Sequence, residues 1–80
     1  MVDYLEEVKK QIAKQFAIDE EMVDDDSYLE EDLKITDLDL EDLCSQLEDK
    51  YQITISEKYY KKFKKISDIS DYLYENIEVA

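Results

Sequence analysis

Apolar residues recur at helical spacing in two long stretches of the chain, and each stretch predicts an amphipathic helix. The first runs from about Asp3 to Phe16, with charged side chains on its other face. The second runs from about Asp37 to Tyr51. The apolar stripes are Leu5, Val8, Ile12 and Phe16 in the first, and Leu40, Leu43, Cys44, Leu47 and Tyr51 in the second. Each stripe predicts a helix face turned toward a common core, with Cys44 as a small core residue.

Polar residues that favour helix starts precede both stretches. Asp3 is a suitable N-cap for the first helix. Thr36 precedes the second, and Asp39 follows three residues later, which is the spacing of a capping box. Ile35 and Leu40 flank this cap and form a candidate hydrophobic staple. The second helix is therefore the most strongly signalled element of the sequence.

The region between these helices, residues 17–35, has no single period. Short polar residues in the run DDDS compete for backbone hydrogen bonds and disfavour a helix. We therefore predict a long ordered loop pinned by its apolar side chains. Those side chains are Ile18, Met22, Val23, Tyr28, Leu29, Leu33 and Ile35.

The same loop contains oxygen-bearing residues with the spacing of a calcium loop, namely Asp24, Asp26, Tyr28 and Glu30. A calcium loop needs glycine at its sixth position and a bidentate glutamate at its twelfth, where this chain has Ile35. The chain also lacks histidine. We therefore expect no metal site.

The last third of the chain predicts shorter elements. QITIS, residues 52–56, alternates and predicts an extended connector. Ser56 is placed to cap a short third helix, Glu57 to about Phe63. Ser67 is placed to cap a last helix, Asp68 to about Ile77. Its inner face would carry Ile69, Leu73 and Ile77. Together the elements predict an all-α small helical bundle of three main helices plus one short helix, as a single domain of residues 1–80 and a monomer.

Charge narrows the classes of partner. The formal net charge is −13, which opposes binding to nucleic acid and to anionic membranes and favours a protein with a basic docking surface. Solubility alone would also account for acidic residues. The charge is uneven, because residues 1–57 hold 19 acidic residues and 5 lysines. Residues 58–65, KYYKKFKK, hold five lysines and no acid, and are called the lysine-rich segment below.

The lysine-rich segment interleaves aromatic and basic residues, a pattern also found in proteins that bind single-stranded nucleic acid. The segment is short and surrounded by acid, and its aromatic spacing fits one or two rings turned inward. We therefore predict no nucleic acid partner.

Residues that carry chemistry are scarce. The chain has one cysteine and no histidine to activate it, so we predict that it is not an enzyme and has no catalytic residues. No signal peptide and no apolar run long enough to span a membrane can be recognised, so we predict a cytoplasmic protein without a membrane partner.

The order and size of the elements and their acidity resemble the acyl carrier protein family over nearly all 80 residues. Two stretches carry the resemblance, SYLEEDLKITDLDLEDL at residues 27–43 and LEDKYQITIS at residues 47–56. The first resembles the family's pattern of a hydrophobic residue, an acidic pair, leucine, glycine, any residue and then Asp-Ser-Leu. The second resembles the acidic end of the family's second helix and its aromatic-led connector.

The resemblance implies a function for the Asp-Ser-Leu position, where the family's serine carries a 4'-phosphopantetheine arm from coenzyme A. Here Thr36 stands in place of the aspartate, Asp37 in place of the serine, and Leu38 is retained. Lys34 replaces the glycine. The resemblance therefore implies an attachment position without its hydroxyl, and we expect no cofactor on this chain.

The resemblance also implies a docking surface on the second helix, which in the family meets basic residues of partner enzymes. We call the matching positions the acidic face: Asp37, Leu38, Glu41, Asp42, Ser45, Glu48 and Asp49. Glu41 and Ser45 stand where the family commonly has apolar residues, and the lysine-rich segment stands where it is often acidic.

Three functions follow as hypotheses. The first is an acyl carrier protein homologue that docks through its acidic face without carrying the arm. The second is an ordinary carrier of acyl, polyketide or aminoacyl thioesters, with the aspartate engineered or tolerated. The third is an acidic decoy that imitates nucleic acid.

Overall fold

The computed structural model describes residues 2–79, which form an all-α bundle. Its α-helices are α1 (Tyr4–Gln15), α2 (Asp37–Tyr51) and α3 (Ile66–Tyr74). Two 3₁₀ helices, Glu20–Met22 and Glu57–Lys62, and a terminal π-helix, Glu75–Val79, complete the described elements. The predicted fold class, three main helices plus one short helix with a long loop after the first, is confirmed.

Helices α1 and α2 begin where their capping residues predict. The Asp3 carboxylate accepts a hydrogen bond from the Glu6 amide, and α1 starts at Tyr4, the residue directly after Asp3. At α2 the capping box is complete. The Thr36 hydroxyl accepts from the Asp39 amide at 3.2 Å, and the Asp39 carboxylate accepts from the Thr36 amide at 3.1 Å. Helix α2 therefore keeps its predicted limits.

The buried apolar side chains form one cluster between the three helices and the loop. Its fully buried members are Val8, Ile12, Leu43, Cys44, Leu47, Ile66, Ile69 and Leu73. Helix α1 packs mainly on α3 and less closely on α2. Cys44 is completely buried, as predicted for a small core residue.

The long loop is anchored by fewer apolar side chains than its sequence predicts. Val23, Leu29 and Ile35 are buried, whereas Met22 is 69% exposed and Tyr28 is 42% exposed. The prediction for those last two side chains is therefore wrong. The loop needs fewer anchors because its backbone is hydrogen-bonded to the residues that precede α3.

Two backbone hydrogen bonds join the loop to the chain that leads into α3. The Leu29 amide donates to the Lys64 carbonyl at 2.8 Å, and the Ile66 amide donates to the Ser27 carbonyl at 3.2 Å. An isolated antiparallel bridge pairs Tyr28 with Lys65 between them. These bonds satisfy backbone groups that an unanchored loop would leave to water.

The last two helices differ from their predictions in start and type. Helix α3 begins at Ile66 and not at Asp68, because the Asp68 carboxylate reaches back and accepts from the amides of Lys64 and Lys65 at 2.9 and 3.0 Å. Asp68 thus stabilises the helix from its third position. The predicted short third helix is the 3₁₀ helix Glu57–Lys62, and the Ser56 side chain makes no capping bond to it.

Among residues 2–79, three take the left-handed backbone conformation, in a chain that contains no glycine. They are Ala17, Lys34 and Gln52, with φ of 54°, 59° and 54°. This conformation costs a residue with a Cβ atom about 1–2 kcal/mol. Lys34 is the one closest to the start of α2, where it redirects the chain into the helix cap.

Candidate docking and attachment site at the start of helix α2

The start of α2 is held by residues that precede it directly in sequence. Lys34 turns the chain, and the buried Ile35 donates its amide to the Leu29 carbonyl at 2.9 Å. Thr36 then caps the helix. Asp37 is consequently the first residue of α2, and it is exposed.

The carboxylate of Asp37 occupies a position with two favourable properties for a negative group. It lies in the first turn of α2, beside free backbone amides at the positive end of the helix dipole. It is also open to solvent, where a protein partner can reach it.

The hydroxyl groups near this position are placed differently from Asp37. The Thr36 hydroxyl is engaged with the Asp39 amide. Ser27 is buried, and its hydroxyl accepts from the Asp24 amide at 2.9 Å. Ser45 is exposed but lies eight residues further along α2, about 12 Å away along the helix axis at the usual rise.

All residues of the acidic face lie on one continuous side of α2. Seven positions define it: Asp37, Leu38, Glu41, Asp42, Ser45, Glu48 and Asp49. At about 100° per residue they span about 140° of the helix circumference, away from the stripe that enters the core. Six are exposed, and Leu38 is an apolar residue with 74% of its surface in solvent. The face therefore combines clustered negative charge with one protruding apolar side chain.

Glu48 differs from its neighbours because it is half-buried and already has an internal partner. Its carboxylate accepts from the Ile55 amide at 2.9 Å and so ties the connector to α2. Burial raises the pKa of the Cys44 thiol to about 12, and the negative charge of Glu48 adds to this effect. Glu48 thus supports the connector and contributes only part of its carboxylate to the exposed face.

A surface groove runs between the start of α2 and the 3₁₀ helix Glu57–Lys62. Its volume is about 400 Å³, and its lining residues are Asp37, Leu40, Glu41, Glu57, Lys58, Tyr60 and Lys61. A second depression of about 290 Å³ lies toward the loop. It shares Asp37, Leu40, Tyr60 and Lys61 with the first. Asp37 therefore stands between two depressions that have a common wall.

Tyr60 is the aromatic residue of that common wall. It is half-buried, and burial raises the pKa of its phenol, with smaller contributions from the nearby Cys44 and Glu48. The sequence indicated that one or two rings of the lysine-rich segment turn inward, and Phe63 is the buried one. No pattern in the sequence indicated that Tyr60, Lys58 and Lys61 border Asp37, because more than 20 positions separate them in the chain.

Within residues 2–79 no group of three or more potential metal-ligating side chains comes together. In the same range no helix combines the length and the apolar character needed to cross a bilayer.

Comparison with known proteins identifies the family. Residues 6–73 match the protein family described as "Phosphopantetheine attachment site". The chain is 34% identical over 73 residues to an acyl carrier protein of Campylobacter lari, covering 91% of this chain and 94% of that protein. An acyl carrier protein of Helicobacter hepaticus is 32% identical over 75 residues, covering 94% and 99%. One of Phytoplasma mali is 29% identical over 73 residues, covering 91% and 87%. The chain therefore belongs to the acyl carrier protein family, whose members are non-catalytic carriers, and this confirms the prediction that it is not an enzyme.

Proposed function

We propose that this chain is an acyl carrier protein homologue that docks through its acidic face on a basic surface of a protein partner and does not carry the phosphopantetheine arm. One observation supports this most directly. The exposed first residue of α2, directly before Leu38, is Asp37, at the position where the family resemblance predicts the attachment serine.

The chemistry of attachment requires a hydroxyl oxygen at that position. The oxygen loses its proton and attacks the pantetheine-side phosphorus of the coenzyme A pyrophosphate. A stable phosphodiester forms as the P–O bond to the leaving group, adenosine 3',5'-bisphosphate, breaks. A carboxylate is a weak nucleophile, and its product would be an acyl phosphate that water hydrolyses. Thr36 has a hydroxyl, but it is one residue away and is engaged in the capping box.

Asp37 has a structural role and a functional role in this proposal. An acid in the first helical turn stabilises a helix by about 0.3–1 kcal/mol. The same carboxylate places negative charge where a modified serine would carry its phosphate. A partner that recognises this charge would stay engaged without any cargo.

The acidic face suits a docking role because clustered charge steers encounter and sets the orientation of a complex more than it adds affinity. Leu38 supplies exposed apolar area within this face. The partner class is a carrier-protein-dependent enzyme with lysine and arginine at its docking surface. The cytoplasmic location and the monomeric state remain predictions.

The loss of the arm can be tested with coenzyme A and a phosphopantetheinyl transferase. We expect the unsubstituted chain to keep its mass, because no hydroxyl group is available at the position of Asp37. We expect Asp37→Ser to gain the mass of one arm. The matched control is Asp42→Ser, which places a serine on the same face about one and a half turns further along α2 and should stay unloaded.

The intact mass of the protein isolated from its own host is the measurement that can contradict the loss of the arm most directly. A natural chain that bears the arm would overturn the proposal and establish an ordinary carrier. If instead Asp37→Ser remains unloaded, the docking surface is not one that the transferase recognises, and docking to a carrier-dependent enzyme would be contradicted.

The docking face can be tested separately in the Asp37→Ser background. We expect the added pair Asp42→Lys and Asp49→Lys to slow loading at least about tenfold, because both reverse charge on the exposed face. The control pair, Glu20→Lys and Glu21→Lys, changes the net charge equally but lies on the first 3₁₀ helix. Equal loading rates for the two pairs would contradict docking through α2.

A further inference from the structure

The lysine-rich segment forms a second charged surface beside the acidic face. Lys58, Lys61, Lys62 and Lys64 are exposed, and Lys65 is half-buried. Lys58 and Lys61 line the same groove as Asp37 and Glu41. A partner that covers this groove therefore meets the acids of α2 on one wall and, on the other, Lys58 and Lys61 beside Glu57.

The positive charges of this segment are not neutralised by contact with the chain's own acids. The ion pairs found among residues 2–79 join Lys9 to Glu6 and Asp25, and Lys50 to Glu7. No lysine of the segment takes part in them, although the chain has 23 acidic residues. The segment consequently presents its charge to solvent.

Three of these lysines make cation–π contacts with tyrosine rings of the chain. The ammonium groups of Lys58 and Lys62 lie 5.3 and 5.4 Å from the centre of the Tyr59 ring, and that of Lys65 lies 5.2 Å from the Tyr28 ring. Tyr59 also packs against Tyr72, with ring centres 4.9 Å apart. With these neighbours the Tyr59 ring is not a free platform on which a nucleic acid base could stack.

The backbone of the segment is fixed on both sides. Phe63 is buried in the core. The Lys64 carbonyl accepts from Leu29, and the amides of Lys64 and Lys65 donate to Asp68. A surface that is already ordered loses little conformational entropy on binding. The segment can therefore bind a partner without a change in its backbone conformation.

From this arrangement we propose that the lysine-rich segment is a second docking surface that binds an acidic strip on a protein partner. The partner's surface would then carry both signs, basic residues against the acidic face and acidic residues against the segment. The first half of this statement rests on the proposed function; the second rests on charge complementarity with the segment. At about 0.1 M salt, charges interact over about 10 Å, so acids farther than this from the segment oppose the binding only weakly.

Two peptides of equal length test this with the full chain. One alternates glutamate with alanine, and the other alternates lysine with alanine. Amide resonances are followed by NMR at about 0.1 M salt. We expect the glutamate peptide to shift the amides of residues 58–65 and the lysine peptide to shift those of the acidic face.

Paired variants identify the groups responsible. Lys58→Glu with Lys61→Glu should weaken binding of the glutamate peptide at least about tenfold. Lys10→Glu with Lys14→Glu makes the same change in net charge on exposed positions of α1 and should leave the binding unchanged. Lysine-peptide binding to α2 should persist in both pairs.

Each alternative result has one meaning. A glutamate peptide that shifts nothing, or that responds equally to the two pairs, overturns the second surface. A single-stranded oligothymidine that binds residues 58–65 more tightly than the glutamate peptide overturns the protein partner in favour of nucleic acid. Failure of the lysine peptide alone counts against the acidic face, and therefore against the proposed function, and leaves the lysine-rich segment supported.

Discussion

The two walls of the groove are built in different ways. The wall at the start of α2 is fixed by residues next to it in sequence, through the Lys34 turn and the Thr36 cap. The opposite wall, the lysine-rich segment, is fixed by distant residues, through Leu29, Tyr72 and Asp68. The position of Asp37 is thus set locally, whereas the lysines depend on the folded core.

This difference has a practical consequence. Substitutions at the cap should shift the stability of α2 and leave the lysine-rich segment in place. Substitutions that disturb its distant partners should displace the segment without changing the limits of α2.

The largest effect is expected from the buried side of α2. Leu43→Ala removes a fully buried side chain and should lower the free energy of unfolding by about 2–5 kcal/mol, because a cavity remains. Leu38→Ala makes the same chemical change on the exposed side and should stay within about 0.5 kcal/mol. Urea denaturation followed by circular dichroism measures both. Similar losses would show that Leu38 is packed.

A second effect on stability involves two groups with a raised pKa, the buried Cys44 of α2 and Tyr60 of the opposite wall. Burial raises the pKa of the Cys44 thiol from 9.0 to about 12, so the unfolded chain ionises first. The stabilisation is therefore complete below about pH 9 and is lost as the pH rises toward about 12. Tyr60 has the same sign, because its pKa is also raised.

Urea midpoints at about pH 8 and about pH 10.5 test this sign. The unsubstituted chain should lose about 2 kcal/mol more of its free energy of unfolding than Cys44→Val, whose side chain cannot ionise. Equal losses in the two proteins would contradict the raised pKa of the thiol. Cys44→Val should still lose some stability at the higher pH, because tyrosines such as Tyr60 also have a raised pKa.

A smaller loss of stability is expected from a substitution at Asp68, which contacts the C-terminal end of the lysine-rich segment. Asp68→Ala removes the acceptor for the amides of Lys64 and Lys65 and should cost about 1–2 kcal/mol. Those two amides should then exchange faster with solvent, while the Asp39 amide at the α2 cap should not. Asp71→Ala, exposed on the same helix, is the control and should change neither quantity.

The smallest expected effect is a gain in the free energy of unfolding. Lys34→Gly relieves the left-handed conformation at φ 59° and should raise the free energy of unfolding by about 1 kcal/mol. Lys10→Gly, in the interior of α1, should lower it by about 1 kcal/mol. A loss at Lys34 would mean that the lysine side chain contributes more there than its backbone conformation costs.

The contrast also explains which elements the sequence predicted. The limits of α2 followed from Thr36, Asp39 and the apolar stripe, all of which act within a few residues. Helix α3 was placed two residues late because its N-cap position is Lys65, a residue type that gives no capping signal. The 3₁₀ geometry of Glu57–Lys62 likewise left no periodic pattern.

The candidate site also has one part that the sequence predicted and one part that depends on tertiary packing. Asp37 and the acidic face could be assigned from helical spacing and family resemblance. The groove could not, because it depends on Lys58, Tyr60 and Lys61 reaching α2 through tertiary packing. Lys34 was recognised as a departure from glycine, but its positive φ follows from the fold and not from its residue type.

The hydrogen bonds that join Ser27 and Leu29 to the chain before α3 divide the long loop into two unequal parts. Beyond them, residues 30–36 form a short tether of nearly fixed span, in which one added residue would rotate or displace the entry to α2. Before them, the exposed turn at Asp25 and Asp26 lies outside this tether. Extra length inserted there should be absorbed at low entropic expense, so a reporter peptide placed at that turn would leave the groove undisturbed.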